Sequence, residues 1–283
     1  MFFRNFDHIQ FAAMIGYPNA KINIGLQITE KRSDGFHNLE TIMYPVPLTD
    51  ALEFVESGLL KFESTGLPVD GNSDHNLVLK AYRLLKAKYD LPPVQIHLHK
   101  KIPMGAGLGG GSADGAFMLK MLDEHFNLNL PVEELEKFAS ELGSDCAFFI
   151  RNQPVFAHGR GELFETIDFR FSEAYILLVK PPFGVPTKEA YSNVMPQKSR
   201  LSLKALIDFP LYQWKTNIKN QFEKTIFPVY PEIAGIKEKL YSLGAFYSAM
   251  TGSGSAVYGL FRSNPERFIQ QFPVEYFTFT SKL

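Results

Sequence analysis

The chain has 283 residues, enough for one large domain or two modest ones with a buried core, and 45% of them are hydrophobic, as in ordinary globular proteins. Its 29 basic and 30 acidic residues leave a net charge of -1, without the clustered positive charge that nucleic-acid or polybasic membrane binding needs. A small-molecule substrate is therefore expected, with no nucleic acid and no membrane as partner, and a monomer or weak homodimer.

Cys146 is the only cysteine, so neither a disulfide framework nor a thiolate metal site is available, and a reducing cytoplasm fits best. No apolar run approaches the ~18–20 residues that span a bilayer. The opening MFFRNFDHIQFAA is aromatic but broken by charge and lacks the continuous core of a secretory signal. Residues 1–13 read as an N-terminal extension, with Met14 a candidate physiological start.

From there the chain reads as a series of short elements. KINIGLQI places Ile22, Ile24, Leu26 and Ile28 on one side of a half-buried strand, and Ala51 to Val55 forms a second candidate. From Asn76, NLVLKAYRLLKAKY has apolar residues at helical spacing. Val94, Ile96 and Leu98 alternate with Gln95, His97 and His99 in a strand that runs into a glycine-rich stretch. SADGAFMLKMLDEHF reads as a helix, and a second helix runs from Pro131 to a C-cap at Gly143. The looser segment from Gln153 to Arg170 carries the expected boundary between residues 14–158 and 159–283. AYILLVKP then reads as a buried strand, and YPEIAGIKEKLYSL as a helix with Pro231 near its start and Gly244 at its end. The last clear unit is a strand, a turn from Thr251 to Gly254, and the strand AVYGLF. Strands and helices mix without a regular βαβ alternation, which predicts an α+β fold.

The glycine-rich stretch KIPMGAGLGGGSAD carries the chemistry. Consecutive glycines let backbone N–H groups approach phosphate oxygens, and a helix starting just after them adds a positive end and unpaired donors. From Gly105 to Gly110 it spells G-x-G-x-x-G, the dinucleotide fingerprint, yet Asp123 and Glu124, about 20 positions on, lie inside a helical pattern rather than after a strand. A Walker A loop would close on Gly-Lys-Ser/Thr, but Gly111-Ser112-Ala113 has no lysine. The V-A-I-K, H-R-D and D-F-G motifs of protein kinases are absent.

Together, P-x-G-A-G-L-G-G-G-S-A, the earlier Pro18-Asn-Ala-Lys-Ile-Asn23 and the later Met250-Thr-Gly-Ser-Gly-Ser255 resemble the three motifs of the GHMP kinases, in the expected order. The resemblance implies a two-domain α+β fold, with an N-terminal domain like domain 2 of ribosomal protein S5 and a ferredoxin-like C-terminal domain. It also implies ATP and Mg²⁺ as cofactors. Arg32-x-Asp-Gly-Phe-His37 and Leu142-Gly-Ser-Asp145 resemble the branch whose acceptor is a cytidine-diphosphate sugar alcohol of the non-mevalonate isoprenoid route. Homoserine- or mevalonate-kinase chemistry, and a catalytically inactive nucleotide-binding module, are the alternatives. Two departures stand out: Phe36 where Tyr is common, and Asn220-Gln221 where Asn-Asp is common.

By the same resemblance, Asp145 is the base that takes the hydroxyl proton, and Lys21 sits beside it to polarise the acceptor or to position it. Read alone, Asp145 is a helix-terminal turn residue and Lys21 a solvated surface charge. Pro103, Met104, Gly105, Ala106, Gly107, Leu108, Gly109, Gly110, Gly111, Ser112 and Ala113 form the triphosphate loop. Ser112 meets the β- and γ-phosphates or Mg²⁺, or simply caps the following helix. Asn76 and Leu77 lie near adenine, although Asn76 is also a helix N-cap. Asn23 contacts the sugar alcohol, Phe36 stacks on cytosine and His37 reads its polar edge. Tyr191, four residues after Thr187, forms the second aromatic wall or packs in the core. Gly252 and Ser253 support the substrate diphosphate or form a hairpin turn. His97 and His99 share a strand face, but no carboxylate or third histidine is evident beside them, so no metal site is expected.

Overall fold

A computed structural model describes residues 13–69, 75–192, 194–197 and 201–283 of the chain, so most of the N-terminal extension lies outside the described residues. In chain order the first elements are β1 (Met14–Gly16), β2 (Asn19–Lys31), β3 (His37–Thr49), β4 (Ala51–Glu56), β5 (Lys61–Gly66), α1 (Leu77–Lys86) and β6 (Val94–Lys100). Next come α2 (Gly110–His125), α3 (Val132–Leu142), α4 (Phe148–Arg151), β7 (Val155–His158) and β8 (Leu163–Thr166). The remainder is β9 (Tyr175–Lys180), α5 (Thr187–Ser192), α6 (Leu203–Leu206), α7 (Leu211–Asn217), α8 (Glu223–Ile226), α9 (Pro231–Ser242), β10 (Tyr247–Met250), β11 (Val257–Phe261) and β12 (Phe277–Lys282).

These strands form three four-stranded sheets, ordered β1-β4-β6-β5, β2-β3-β7-β8 and β10-β11-β9-β12. The first packs its apolar face on α1, α2, α3 and α4, burying Phe54, Tyr82, Leu119 and Phe138. The third is antiparallel throughout and carries α9 on one face, the expected ferredoxin-like arrangement. Between the second and third sheets a shared core joins Ile22, Ile24 and Ile42 to Ile176, Tyr258 and Trp214. The fold is thus the mixed α+β architecture that the motifs imply. β8 pairs with β7, so this hairpin crosses the expected boundary after His158, and the third sheet begins only at Tyr175.

Two local expectations are corrected. The strand KINIGLQI is not half-buried with a single apolar side. A bulge at Gly25, whose φ is +68°, shifts the register between Ile24 and Leu26. Ile22 and Ile24 therefore join the core between the sheets, whereas Leu26 and Ile28 join the core under α9. The opposite face is buried too, and it carries Lys21 and Asn23. The chain also does not end its regular structure at β11, because β12 adds an edge strand antiparallel to β9. Its FTFTSK pattern is only partly buried, which weakens the apolar signal along the sequence.

Candidate active site

The glycine stretch leaves the end of β6 and leads into α2. Gly105, Gly107 and Gly109 all have positive φ. Gly109 is the N-cap of α2 and offers no side-chain cap, so the first-turn N–H groups are open to an anion. Ser112 lies inside that first turn, beside the Cys146 thiol, and is not the helix cap. Burial pushes that thiol up to about 12, so it stays an inert thiol. Not every residue of the stretch faces outward: Ala106, Leu108 and Ala113 are buried anchors, while Met104 is exposed.

A second glycine loop, between β10 and β11, interlocks with the first. Ser255 and Ala256 donate backbone hydrogen bonds to the carbonyls of Gly105 and Ala106 at 3.4 and 3.2 Å. A Cβ on Gly107 would lie 2.0 Å from the Thr251 carbonyl oxygen, and one on Gly254 would lie 2.1 Å from the backbone of Ala106 and Gly107. The segment from Gly252 to Ser255 is therefore a hairpin connection and a wall of the site at once. Gly252 and Ser253 line the cavity, and the Ser253 hydroxyl reaches Thr187 Oγ1 at 3.4 Å.

Beside the loops, Lys21 is 3% exposed and its Nζ donates to Asn23 Oδ1 at 2.6 Å and to the Gly107 carbonyl at 3.0 Å. Asp145, on the turn between α3 and α4, comes within 3.4 Å of the same ammonium with its side chain 36% exposed. Asn23 is held in turn by Thr41 Oγ1, which accepts from its amide at 3.0 Å, and by Thr251 Oγ1, which accepts from its backbone N–H at 3.0 Å. Thr251 donates onward to the Gly107 carbonyl at 3.1 Å. Thr41 and Thr251 were not singled out in the sequence. Their partners are 18 and 228 residues away, and no local pattern connects them.

Lys21, Asn23, Thr41 and Asp145 open onto one cavity of about 670 Å³ together with Gly105, Gly107, Gly109 and Gly252 to Gly254, while Thr251 is buried behind it. Its far end is aromatic. Phe36 is 56% exposed and lies under the Arg160 guanidinium, 5.2 Å from the ring centroid. The ring contact of Tyr191 is with His37, at 5.3 Å, and with the edge of Phe222, at 4.8 Å, rather than with Phe36. Burial, with Lys31 nearby, holds the His37 imidazole below its usual range. It is therefore neutral at pH 7 and offers one donor and one acceptor. Burial, with the Asp145 charge nearby, pushes the Tyr191 phenol up to about 12 and keeps it protonated. Arg160 and Lys188 also line the cavity, unforeseen, because a lone surface cation carries no sequence signal.

Asn76 and Leu77 lie outside that cavity. The Asn76 side chain accepts from Val78 N–H at 2.9 Å as the N-cap of α1, and Leu77 packs beside Gly115 of α2. His97 does have a carboxylate nearby, Glu53 at 3.5 Å, contrary to expectation. It shares Thr65 Oγ1 with His99, and no cluster among the described residues could hold a metal.

The departure at Asn220-Gln221 now has a physical account. Asn220 donates to the carbonyls of Met250 and Gly252, fixing the second glycine loop. Gln221 accepts from Ile28 N–H at 2.7 Å and donates to the Met195 carbonyl at 2.6 Å, a pairing open to an amide but not to a carboxylate. Gln221→Glu is expected to lower stability by about 1 kcal/mol, read as a drop in Tm with kcat unchanged.

The GHMP kinases N terminal domain pattern matches residues 76–160, and the GHMP kinases C terminal pattern matches residues 203–277. A 4-diphosphocytidyl-2-C-methyl-D-erythritol kinase from Parabacteroides distasonis is 52% identical over 91% of this chain and 95% of its own. The chain belongs to the 4-diphosphocytidyl-2-C-methyl-D-erythritol kinase family. Its Bacteroides fragilis relative is 53% identical over 93% of this chain and 96% of its own. A crystal structure of a 4-(cytidine 5'-diphospho)-2C-methyl-D-erythritol kinase superposes with a TM-score of 0.79 at 28% identity, covering 94% of this chain and 98% of the other. Homoserine kinase from Cytophaga hutchinsonii, at 15% identity and a TM-score of 0.65 over 99% and 96% of the two chains, shares the fold alone. No helix among the described residues of this kinase is long and apolar enough to cross a membrane.

Proposed function

We propose that the chain transfers the γ-phosphoryl group of ATP to the 2-hydroxyl of 4-diphosphocytidyl-2-C-methyl-D-erythritol, a step of the non-mevalonate route to isoprenoid precursors. One observation carries the reading: a single cavity holds the Lys21–Asp145 pair, the glycine loop and the Phe36-His37-Tyr191 group. A nucleoside triphosphate fits the loop, because its glycines present backbone N–H groups and the start of α2 has no side-chain cap. ATP supplies the electrophilic phosphoryl group, and Mg²⁺ offsets phosphate charge. Ser112, in the first turn of α2, would meet the β- and γ-phosphates or their Mg²⁺.

The protein's own part is positioning and proton transfer. Asp145, at the cavity wall, accepts the proton of the acceptor hydroxyl. Lys21, fixed by Asn23 and the Gly107 carbonyl, holds its ammonium between acceptor and loop, where it stabilises negative charge building on that oxygen. Phe36 offers a π-face to the cytosine, and neutral His37 offers a donor and an acceptor to its edge. Thr187, Lys188 and Ser253 face the diphosphate. The test is ATP consumption measured in parallel with the cytidyl substrate, homoserine and mevalonate. Turnover with the first alone is expected; turnover only with the others, or with none, refutes the proposal.

A further inference from the structure

Beneath the glycine loop lies a charge cluster that takes no part in the cavity. Lys100 and Asp50 are 1% exposed and Asp114 is 2% exposed. The Lys100 ammonium contacts Asp50 Oδ2 and lies 2.7 Å from Asp114 Oδ2. Asp50 Oδ1 accepts the backbone N–H groups of Lys101 at 2.6 Å and Ile102 at 2.8 Å. Asp114 Oδ1 has no partner, and burial, reinforced by Asp50 and opposed by Lys100, pushes the Asp114 carboxyl up. Burying two carboxylates on one ammonium is expensive, and apolar residues of similar volume often serve stability as well or better. The placement of the three is informative. Asp50 sits at the junction of β3 and β4, Lys100 ends β6, and Asp114 sits in the opening turns of α2. The cluster ties the residues just before the glycines to the helix just after them, and Lys100 Nζ comes within 2.9 Å of where a Gly110 Cβ would be.

We propose that Asp50, Lys100 and Asp114 are positioning residues for the triphosphate loop, fixing the separation and orientation of its two ends before nucleotide arrives. The inference rests on the reading of this loop as the ATP cradle. Three glycines with positive φ lie between the tethered ends, so an untethered loop would have more conformations to lose on binding. The cost of losing the tether therefore falls on nucleotide affinity and leaves the distant acceptor end of the cavity unchanged.

Two variants test this: Asp114→Ala, and the triple variant Asp50→Asn, Lys100→Met and Asp114→Leu, which removes all three buried charges and keeps an acceptor for the Lys101 and Ile102 N–H groups. Binding of the non-hydrolysable analogue AMPPNP by calorimetry, KM for each substrate, and Tm are measured. Both variants are expected to weaken AMPPNP binding and raise KM for ATP roughly 10- to 100-fold. KM for the acceptor should stay within about twofold, and the triple variant, which leaves no buried charge unpaired, should melt close to the wild type. Asp114→Asn, which keeps an acceptor for Lys100, should restore most of the affinity. Unchanged nucleotide affinity with a lowered Tm would make the cluster merely structural and overturn the inference alone. Equal losses for both substrates would also overturn it. A wild-type protein that turns over the acceptor poorly and fails to bind AMPPNP would overturn the cradle reading as well.

Discussion

Replacing Asp145 by Asn is expected to lower kcat by roughly 10²- to 10⁴-fold, the range supplied by a positioned general base. The amide keeps the size of the carboxylate but cannot take the hydroxyl proton. It also removes the negative charge beside the Lys21 ammonium, which still has Asn23 Oδ1 and the Gly107 carbonyl. The carboxylate is one third exposed at the end of a turn, so Tm should barely move. KM for ATP should change little, because the triphosphate loop does not depend on this side chain. Steady-state kinetics at saturating ATP, with a thermal melt beside them, check the result. A variant that folds normally and retains near-normal turnover would remove Asp145 from the role of base.

The second large effect is expected from Gly254→Ala. Its Cβ would meet Ala106 C and Gly107 N, both at 2.1 Å, and neither is the end of a flexible side chain. The two glycine loops would have to separate, breaking the hydrogen bonds that Ser255 and Ala256 donate to Gly105 and Ala106. Overpacking between side chains typically costs about 1–3 kcal/mol, and a backbone overlap belongs at or above the upper end. Activity should fall further than stability, because Gly107 also receives the Lys21 and Thr251 hydrogen bonds. The comparison variant is Gly235→Ala in α9, where a Cβ meets open space. It should gain roughly 0.5–1 kcal/mol of stability from helix propensity alone. Equal Tm values for the two variants would contradict the interlocking of the loops.

Much of the site was legible one residue at a time. Gly143 ends α3, Pro231 starts α9, and Gly109 to Ser112 stand where a strand passes into a helix, all from local backbone chemistry. The alternation along β6 even exposes Lys100, which falls on the same face as the buried Val94, Ile96 and Leu98. A lysine at an apolar position signals a buried partner, but the sequence does not say which carboxylates meet it. Asp50 and Asp114 lie 50 and 14 residues away. Asn76 shows the converse: its local role as an N-cap was readable, and its place outside the cavity was not.

The sequence by itself determined the α+β class and the phosphate-binding stretch, which rest on residue types and spacings within a few turns of chain. The kinase family, and with it the candidates Lys21, Asp145, Phe36 and His37, came from the resemblance of motifs spread between Pro18 and Ser255. The tertiary structure alone decided that Lys21 touches Gly107, that Thr251 bridges Asn23 to the same carbonyl, and that Gly254 packs against Ala106. It also decided that Tyr191 faces His37, and that the bulge at Gly25 sends Leu26 away from Ile24. The physical reason is chain separation. A backbone preference is set by neighbouring residues, whereas a hydrogen bond or a van der Waals limit acts between any two atoms that packing brings within a few ångströms.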